Sequence, residues 1–105
     1  MTDPAAFAAV ADRIEAELRA LGSWQADPLP QETIDDGGAF GVNTMAYTQW
    51  LQFVLVPRLR EVAAGSTAVP PGSQVGVHAV REFDGWHEAA ELTSLLIELD
   101  GLVEG

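Results

Sequence analysis

The 105-residue chain has no cysteine and no lysine, and five arginines stand against sixteen aspartates and glutamates. Without cysteine, it has no means of forming a disulfide, a thiolate metal site or a cysteine nucleophile. Its formal charge is −11, and it lacks the clustered basic residues that bind phosphate backbones and anionic membranes. We therefore expect no direct contact with nucleic acid or membrane. An acidic surface keeps a small domain soluble, and it also attracts basic partner proteins.

Long apolar segments are absent as well. No run of apolar residues approaches the roughly 20 that cross a bilayer. The first residues, Met1-Thr2-Asp3-Pro4, lack the basic and apolar parts of a signal peptide, so a cytoplasmic location is expected. A chain of this length forms a single domain, which we assign to residues 1–105.

The two ends of the chain have the apolar spacing of amphipathic helices. The first helix begins after an N-cap, Asp3 or Thr2, with Pro4 in its first turn, and it ends at Gly22. Its apolar residues recur every three or four positions: Phe7, Val10, Ala11, Ile14, Leu18 and Leu21. The last helix is expected to be capped by Asp84. Its apolar stripe consists of Ala89, Leu92, Leu95, Leu96, Leu99, Leu102 and Val103.

Residues 47–57 form the most apolar segment and predict a buried central helix. Six side chains fill an arc of roughly 200° on a helical wheel, about twice the width typical of a surface helix: Tyr47, Trp50, Leu51, Phe53, Val54 and Leu55. Asn43 or Thr44 is the expected N-cap. The helix has a short polar edge, made of Thr48, Gln49 and Gln52. Pro57 lacks an N–H, so we expect a kink near Val56, after which the helix resumes as far as Gly65.

The remaining segments are connections and one short element. Residues 22–43 form a long loop that contains Pro28 and Pro30. This loop is expected to lie on the bundle because it carries four large apolar side chains, Trp24, Leu29, Ile34 and Phe40. Residues 65–73 have the composition of a linker. Residues 74–83 fit a short helix or a strand, and we favour the helix because the chain offers no second strand to pair with it.

Together these elements predict an all-α fold. We expect a four-helix-type bundle with three long helices and one short one, a long loop between helices 1 and 2, and a kink or break at Pro57 in helix 2. The 200° apolar arc is wider than three neighbours readily cover in a small domain. A homo-oligomer is therefore a further hypothesis.

The inventory of reactive side chains is small, and we predict neither a catalytic residue nor a cofactor. No serine has the setting of a nucleophile elbow, and no glycine-rich segment has the strand, helix and lysine of a phosphate-binding loop. Acidic residues surround His87, and a metal site there would use Asp84, Glu88 and Glu91. We favour the alternative that these carboxylates stabilise the positive end of the last helix, and we predict no metal site.

Arg58 follows Pro57 and is the charge of greatest interest. One interpretation is that it neutralises free carbonyls at a helix terminus. A second is that Arg58 forms a protein-binding surface with Trp50, Phe53 and the loop that carries Trp24, since Trp and Arg commonly anchor such surfaces. The rival hypothesis is a small-ligand pocket between the central helix and the 22–43 loop, lined by Trp24, Phe40 and Trp50.

The central segment and its flanks resemble the YqcC-like family of small bacterial proteins. The residues that carry this resemblance are Trp24, Pro28, Phe40, Thr44-Met45, the run 50–59 and Pro71-Gly72. The resemblance implies a compact helical bundle of about this length, in a family whose biochemical function is not established. Some members are encoded beside a tRNA pseudouridine synthase. The resemblance therefore implies another protein as partner, with such a synthase as the candidate, and it supplies no catalytic residue.

Overall fold

The computed structural model describes residues 3–66 and 74–104, and in these ranges it contains helices and turns but no strand. The prediction of an all-α bundle is confirmed. Most of the predicted linker, residues 67–73 with Pro71-Gly72, lies outside the described residues. The helices are α1 (Pro4–Ala20), α2 (Gln31–Asp35), α3 (Tyr47–Trp50), α4 (Val56–Ala63), α5 (Val75–Glu82) and α6 (Ala90–Glu104). A π-helical turn, Leu51–Leu55, joins α3 to α4, and 3₁₀ turns occupy Ala39–Gly41 and His87–Ala89.

The core lies between α1 and the helices that pack on it. Helix α1 contacts α4 and α6, and α5 packs along α6. The stripe predicted for the first helix is buried from Phe7 to Leu18, and that of the last helix is buried from Ala89 to Leu99. Residues 74–83 are helical, as favoured. The central helix contributes seven further side chains to the core: Tyr47, Trp50, Leu51, Leu55, Val56, Leu59 and Val62.

The ends of α1 follow from its sequence. The carboxylate of Asp3 accepts a hydrogen bond from the Ala5 N–H at 3.0 Å, and Pro4 occupies the first turn. Gly22 adopts φ +72°, and the N–H of Ser23 donates to the carbonyl of Leu18 at 2.8 Å. This is the Schellman arrangement, in which a left-handed residue lets the chain satisfy the last carbonyls of a helix. The N-cap and the terminating glycine are therefore as predicted.

The predicted interruption of helix 2 takes the form of the π turn. The N–H of Val56 donates to the carbonyl of Leu51, five residues earlier. Pro57, which has no N–H to donate, then falls in the first turn of α4. A π turn inserts one extra residue into the helix and shifts the angular phase of everything that follows it. Consequently Leu59 is buried, Arg58 is exposed, and the helix continues to Ala63 instead of breaking.

Both predicted caps of the later helices are wrong. The N-cap of α3 is Ala46, whose N–H donates to the side-chain oxygen of Gln49 at 2.8 Å. Thr44 instead donates its hydroxyl to the carbonyl of Thr33, across the loop. Asp84 lies in a turn that precedes the last 3₁₀ turn, six residues before α6 begins. Composition marks residues that are able to cap, whereas the path of the loop decides which of them reaches a helix end.

The 22–43 loop is more ordered than its composition predicts. It contains α2, which begins directly after Pro30, and the Ala39–Gly41 turn. Gln52, expected on the polar edge, is only 6% exposed. Its side-chain amide accepts a hydrogen bond from the Gln25 N–H at 2.8 Å and donates to the Gln25 carbonyl at 2.6 Å. Phe53, expected in the buried arc, is half-buried. The predicted exposed edge of the helix is therefore wrong at Gln52, which is buried because its side chain binds the 22–43 loop.

An ion-pair network joins α1 to α4. One carboxylate oxygen of Glu15 accepts from Arg60 at 2.8 Å, and the other accepts from Arg19 at 3.0 Å. The hydrogen bond from Arg60, and then that from Arg19, holds the pKa of Glu15 below its usual value. A carboxylate whose pKa is lowered by folding stabilises the fold above its ordinary pKa, and this contribution is lost as the pH falls through the lowered value.

We expect Glu15→Gln to lower the free energy of unfolding by about 0.5 to 1 kcal/mol at pH 7 and low salt, because the pair is close to solvent. The loss should shrink at high salt and vanish in acid, where the wild-type carboxyl is protonated as well. Denaturant titrations at two pH values measure this difference. Glu17→Gln is the control, because Glu17 lies on the same helix and forms no ion pair with a described residue. Equal losses for the two variants at pH 7 would contradict the role of the network.

Candidate functional site

Aromatic rings from three parts of the chain meet beside the central helix. The ring of Phe40 stacks on His78, with centroids 4.3 Å apart and planes 11° from parallel. Its edge meets Trp50 at 5.3 Å, and Trp50 in turn stacks on Tyr47 at 5.7 Å. The Tyr47 hydroxyl donates to the carbonyl of Val75 at 2.8 Å. The 22–43 loop, α3 and α5 are thereby joined through one cluster.

The backbone of Phe40 adopts an unfavourable conformation where its ring joins this cluster. Its φ of +55° is the only positive value at a non-glycine position among the described residues. Such a conformation costs a bulky residue on the order of 1–3 kcal/mol and persists only where the surroundings impose it. Gly41, at φ +70°, passes so close to Met45 that an added Cβ would lie 2.6 Å from its Cγ. The turn is therefore compressed against α3, with the Phe40 ring held between His78 and Trp50.

The cluster contains two titratable side chains, Tyr47 and His78. Burial, reinforced by the negative charges of Asp100 and Glu82, raises the pKa of Tyr47 well above its usual range. Its hydroxyl consequently remains a proton donor to Val75 at any physiological pH. His78 Nε2 is buried and lies 3.3 Å from a carboxylate oxygen of Glu82, but in a direction that forms no hydrogen bond with a described residue.

Phe40 and Trp50 form part of the wall of an apolar cavity of about 260 Å³. We call it the Arg58 cavity, because Arg58 is the single charged residue among the described residues that line it. The other lining residues are Phe7, Leu55, Leu59, Val62, Gln74, Val75, Leu99 and Val103. The cavity thus opens into the core between α1, α4 and α6.

A second cleft lies on the loop side of the same residues. Its volume is about 480 Å³, and it shares Phe40, Trp50 and Arg58 with the Arg58 cavity. Its other lining residues are Ile34, Asp35, Gly38, Ala39 and Val54. Asp35 is the acidic residue of this lining. Arg58 therefore stands between an apolar cavity and a cleft that carries a carboxylate.

Arg58 has no ion-pair partner among the described residues. Three of the other arginines are paired, Arg13 with Glu98 at 3.3 Å and Arg19 and Arg60 with carboxylates of α1. Arg58 lies in the first turn of α4 and is exposed. The interpretation that it neutralises a helix C-terminus is therefore wrong, because the helix continues past it to Ala63.

The two remaining candidate residues lie away from this cavity. Trp24 is half-buried, and the guanidinium of Arg19 sits 4.8 Å above the centre of its ring. Phe53 is also half-buried. Neither lines the Arg58 cavity or the loop-side cleft. Of the five residues singled out in the sequence, the structure brings together Phe40, Trp50 and Arg58.

The structure also has an exposed apolar surface between α5 and α6 that is not among the residues predicted from the sequence. Val77, Val80 and Ile97 are each more than half exposed, and they line one shallow groove. We call these three residues the α5–α6 patch; Arg81 borders the same groove. The signal was present in the sequence, since Val77 and Val80 are three apart on a short helix and lie off the face that carries Val75 and Ala79. An aliphatic face that the fold leaves exposed is a candidate for contact with another protein.

The acidic residues around His87 do not assemble into a site. His87 begins the last 3₁₀ turn and is exposed. Within residues 3–66 and 74–104, no group of three or more His, Asp or Glu side chains is placed to hold a metal ion. Within the same ranges, no helix has the length and apolar character needed to cross a membrane.

Comparison with known proteins places the chain in a family. Residues 7–102 match the family model DUF446, which is described as tRNA pseudouridine synthase C. An uncharacterized protein of Haemophilus influenzae is 23% identical over 91 residues, which cover 87% of this chain and 86% of that protein. The tRNA pseudouridine synthase C of Pectobacterium carotovorum is 33% identical over 57 residues, which make up 54% of this chain but only 15% of that protein.

The fold is also similar to a solved structure. The solution NMR structure of protein YqcC from E. coli superposes with a TM-score of 0.84 at 25% identity, covering 99% of this chain and 90% of that one. The resemblance inferred from the central segment is thereby confirmed. Since the family model spans nearly the whole chain and the YqcC structure matches it from end to end, this protein belongs to the DUF446 family of YqcC-like helical bundles.

Proposed function

We propose that this protein is a non-catalytic module that binds a tRNA pseudouridine synthase. One observation carries the proposal: 57 residues of the chain match a segment that forms 15% of a protein named tRNA pseudouridine synthase C. In that relative, most of the enzyme lies outside the matched segment. Interfaces between domains of one chain resemble those between separate, transiently bound proteins. A module joined to the enzyme in one organism can therefore bind it as a separate chain in another.

The charge of the module supports a protein contact instead of a contact with tRNA. At −11, the chain would be repelled by a phosphate backbone. An enzyme that binds tRNA carries basic surface, and an acidic module is electrostatically complementary to such a surface. Complementary charge mainly accelerates association and selects the partner, and it weakens as salt is added.

The α5–α6 patch is the surface we assign to this contact. Its three aliphatic side chains supply the apolar centre that protein interfaces require, and the polar residues Gln74, Arg81 and Asp100 line the same groove. Arg81 borders the groove and forms no ion pair with a described residue, so its guanidinium is free to bind a partner carboxylate.

The test is to measure binding to the tRNA pseudouridine synthase of the same organism by calorimetry, at low and at high salt. We expect a complex that weakens as salt rises, and at least a tenfold loss of affinity for Val77→Glu because a carboxylate would be buried in the apolar centre. The matched control is Val42→Glu, since Val42 is an exposed valine outside the patch. Absence of a wild-type complex at low salt would refute the partner. Equal binding by both variants would refute the surface alone.

A further inference from the structure

We propose that the Arg58 cavity binds a small aromatic carboxylate. This goes beyond the proposed partner and does not depend on it. The size of the ligand follows from the volume: a dry apolar cavity of about 150 Å³ holds a benzene molecule. At about 260 Å³, the Arg58 cavity has room for one ring and a short chain attached to it.

The walls select an apolar group. Phe7, Leu55, Val62 and Leu99 line the interior, and no acidic side chain is found among the described residues of the lining. Phe40 and Trp50 add aromatic surface, against which another ring packs favourably in edge or offset geometry. Phe40 is held in the wall by its left-handed backbone and by stacking on His78. The cavity is therefore largely formed before a ligand arrives, which reduces the entropy that binding must overcome.

Arg58 selects the charge of the ligand. In a chain with sixteen acidic residues, its guanidinium has no ion-pair partner among the described residues. A guanidinium presents a planar pair of donors that fits both oxygens of a carboxylate. Because the side chain is exposed, the interaction is weaker than a buried one. It nevertheless discriminates against cations, which Arg58 would repel.

Asp35 fixes the direction in which the ligand lies. Its carboxylate lines the loop-side cleft and would repel an anion placed there. The ring therefore enters the apolar cavity, and the carboxylate remains beside Arg58 at the junction of the two spaces.

The probe for this proposal is 3-phenylpropionate, titrated into the full-length protein and followed by two-dimensional NMR. We expect saturable shifts that involve Phe40, Trp50 and Val103, and binding at least tenfold weaker for 2-phenylethylamine, which has the same ring and the opposite charge. Arg58→Gln should weaken the carboxylate about tenfold, whereas Arg58→Lys should retain part of the affinity. Arg81→Gln, which removes another arginine without an ion pair to a described residue, should leave it unchanged.

A second test of the proposal uses a variant in which a larger side chain fills the cavity. Val103→Phe should abolish binding while leaving Arg58 in place, because the added ring occupies the space of the ligand. Its folding is checked by circular dichroism, and the arginine variants decide the outcome if it fails to fold. The proposal is overturned if 3-phenylpropionate causes no saturable shift in the wild type at concentrations up to about 10 mM. It is also overturned if the amine binds equally well, or if Arg58→Gln and Arg81→Gln behave alike.

Discussion

Replacing Gly76 by alanine is expected to lower the free energy of unfolding by about 2–4 kcal/mol, although it adds only one methyl group. A Cβ at this position would lie 2.6 Å from the Cα of Ile97 and 2.7 Å from its backbone nitrogen. Both atoms belong to the backbone of α6, so no side-chain rotation relieves the clash. Helix α5 would have to move away from α6, and it would lose much of the packing that joins the two helices.

The matched control is Gly101→Ala on α6. A Cβ added at Gly101 would have no described atom within 4 Å apart from its chain neighbours and the nearby backbone of α6. Because alanine is the better helix former, this substitution should raise stability by about 0.5–1 kcal/mol. Urea denaturation of both variants measures the difference. If Gly76→Ala were as stable as Gly101→Ala, the close approach of α5 to α6 would be refuted.

Gln52→Leu is expected to cost about 2–3 kcal/mol, although leucine resembles glutamine in size and Gln52 does not line the Arg58 cavity. The substitution removes the only side chain that pairs with both the N–H and the carbonyl of Gln25 in the described structure. Each partly buried backbone group left unpaired costs on the order of 1 kcal/mol or more. The 22–43 loop should loosen first, so the Gln25 amide should exchange with solvent faster than amides of α1.

Two further variants separate the hydrogen bonds from packing. Gln49→Ala removes the acceptor for the Ala46 N–H and the donor to the side-chain oxygen of Gln25, but it should cost only about 1 kcal/mol because the backbone groups of Gln25 keep their partner Gln52. Gln52→Glu keeps an acceptor for the Gln25 N–H but, when ionised, offers no donor to the Gln25 carbonyl. Burial beside a carbonyl should raise the pKa of this carboxyl in the folded state, so its deficit relative to wild type should shrink as the pH falls towards the ordinary pKa of glutamate, about 4.3, and should be smallest below that value. Hydrogen exchange and denaturant titration together test the series. A loop with unchanged exchange in Gln52→Leu would contradict the role of Gln52.

The contrast between Gln49 and Gln52 shows what periodicity conveys and what it omits. Both glutamines belong to the predicted polar edge on a helical wheel. Only the structure shows that the loop returns at Gln25 and turns one of them into a buried partner of a peptide group. A wheel records the direction of a side chain but not what lies in that direction, because the loop is brought there by contacts distant in sequence.

The same limit applies to the candidate site. The sequence singled out aromatic residues and one arginine by their chemistry, and three of them do line a common cavity. Trp24 does not, because its ring lies beneath Arg19 of α1. Val103 also lines the cavity, although its spacing in the sequence predicts only a position in the apolar stripe of the last helix. A cavity is the space that packing leaves between helices, and no single segment encodes it.

The sequence by itself determined the helical class, the first and last helices and the interruption at Pro57, and it favoured a helix over a strand at residues 74–83. These follow from apolar spacing, from capping at Asp3 and from the missing N–H of proline, all of which act within a few residues along the chain. The tertiary structure alone decided the π turn that exposes Arg58, the burial of Gln52, the strained turn at Phe40 and the exposed α5–α6 patch. Those features depend on which helices approach one another and how closely, and this is settled by packing between residues far apart in sequence.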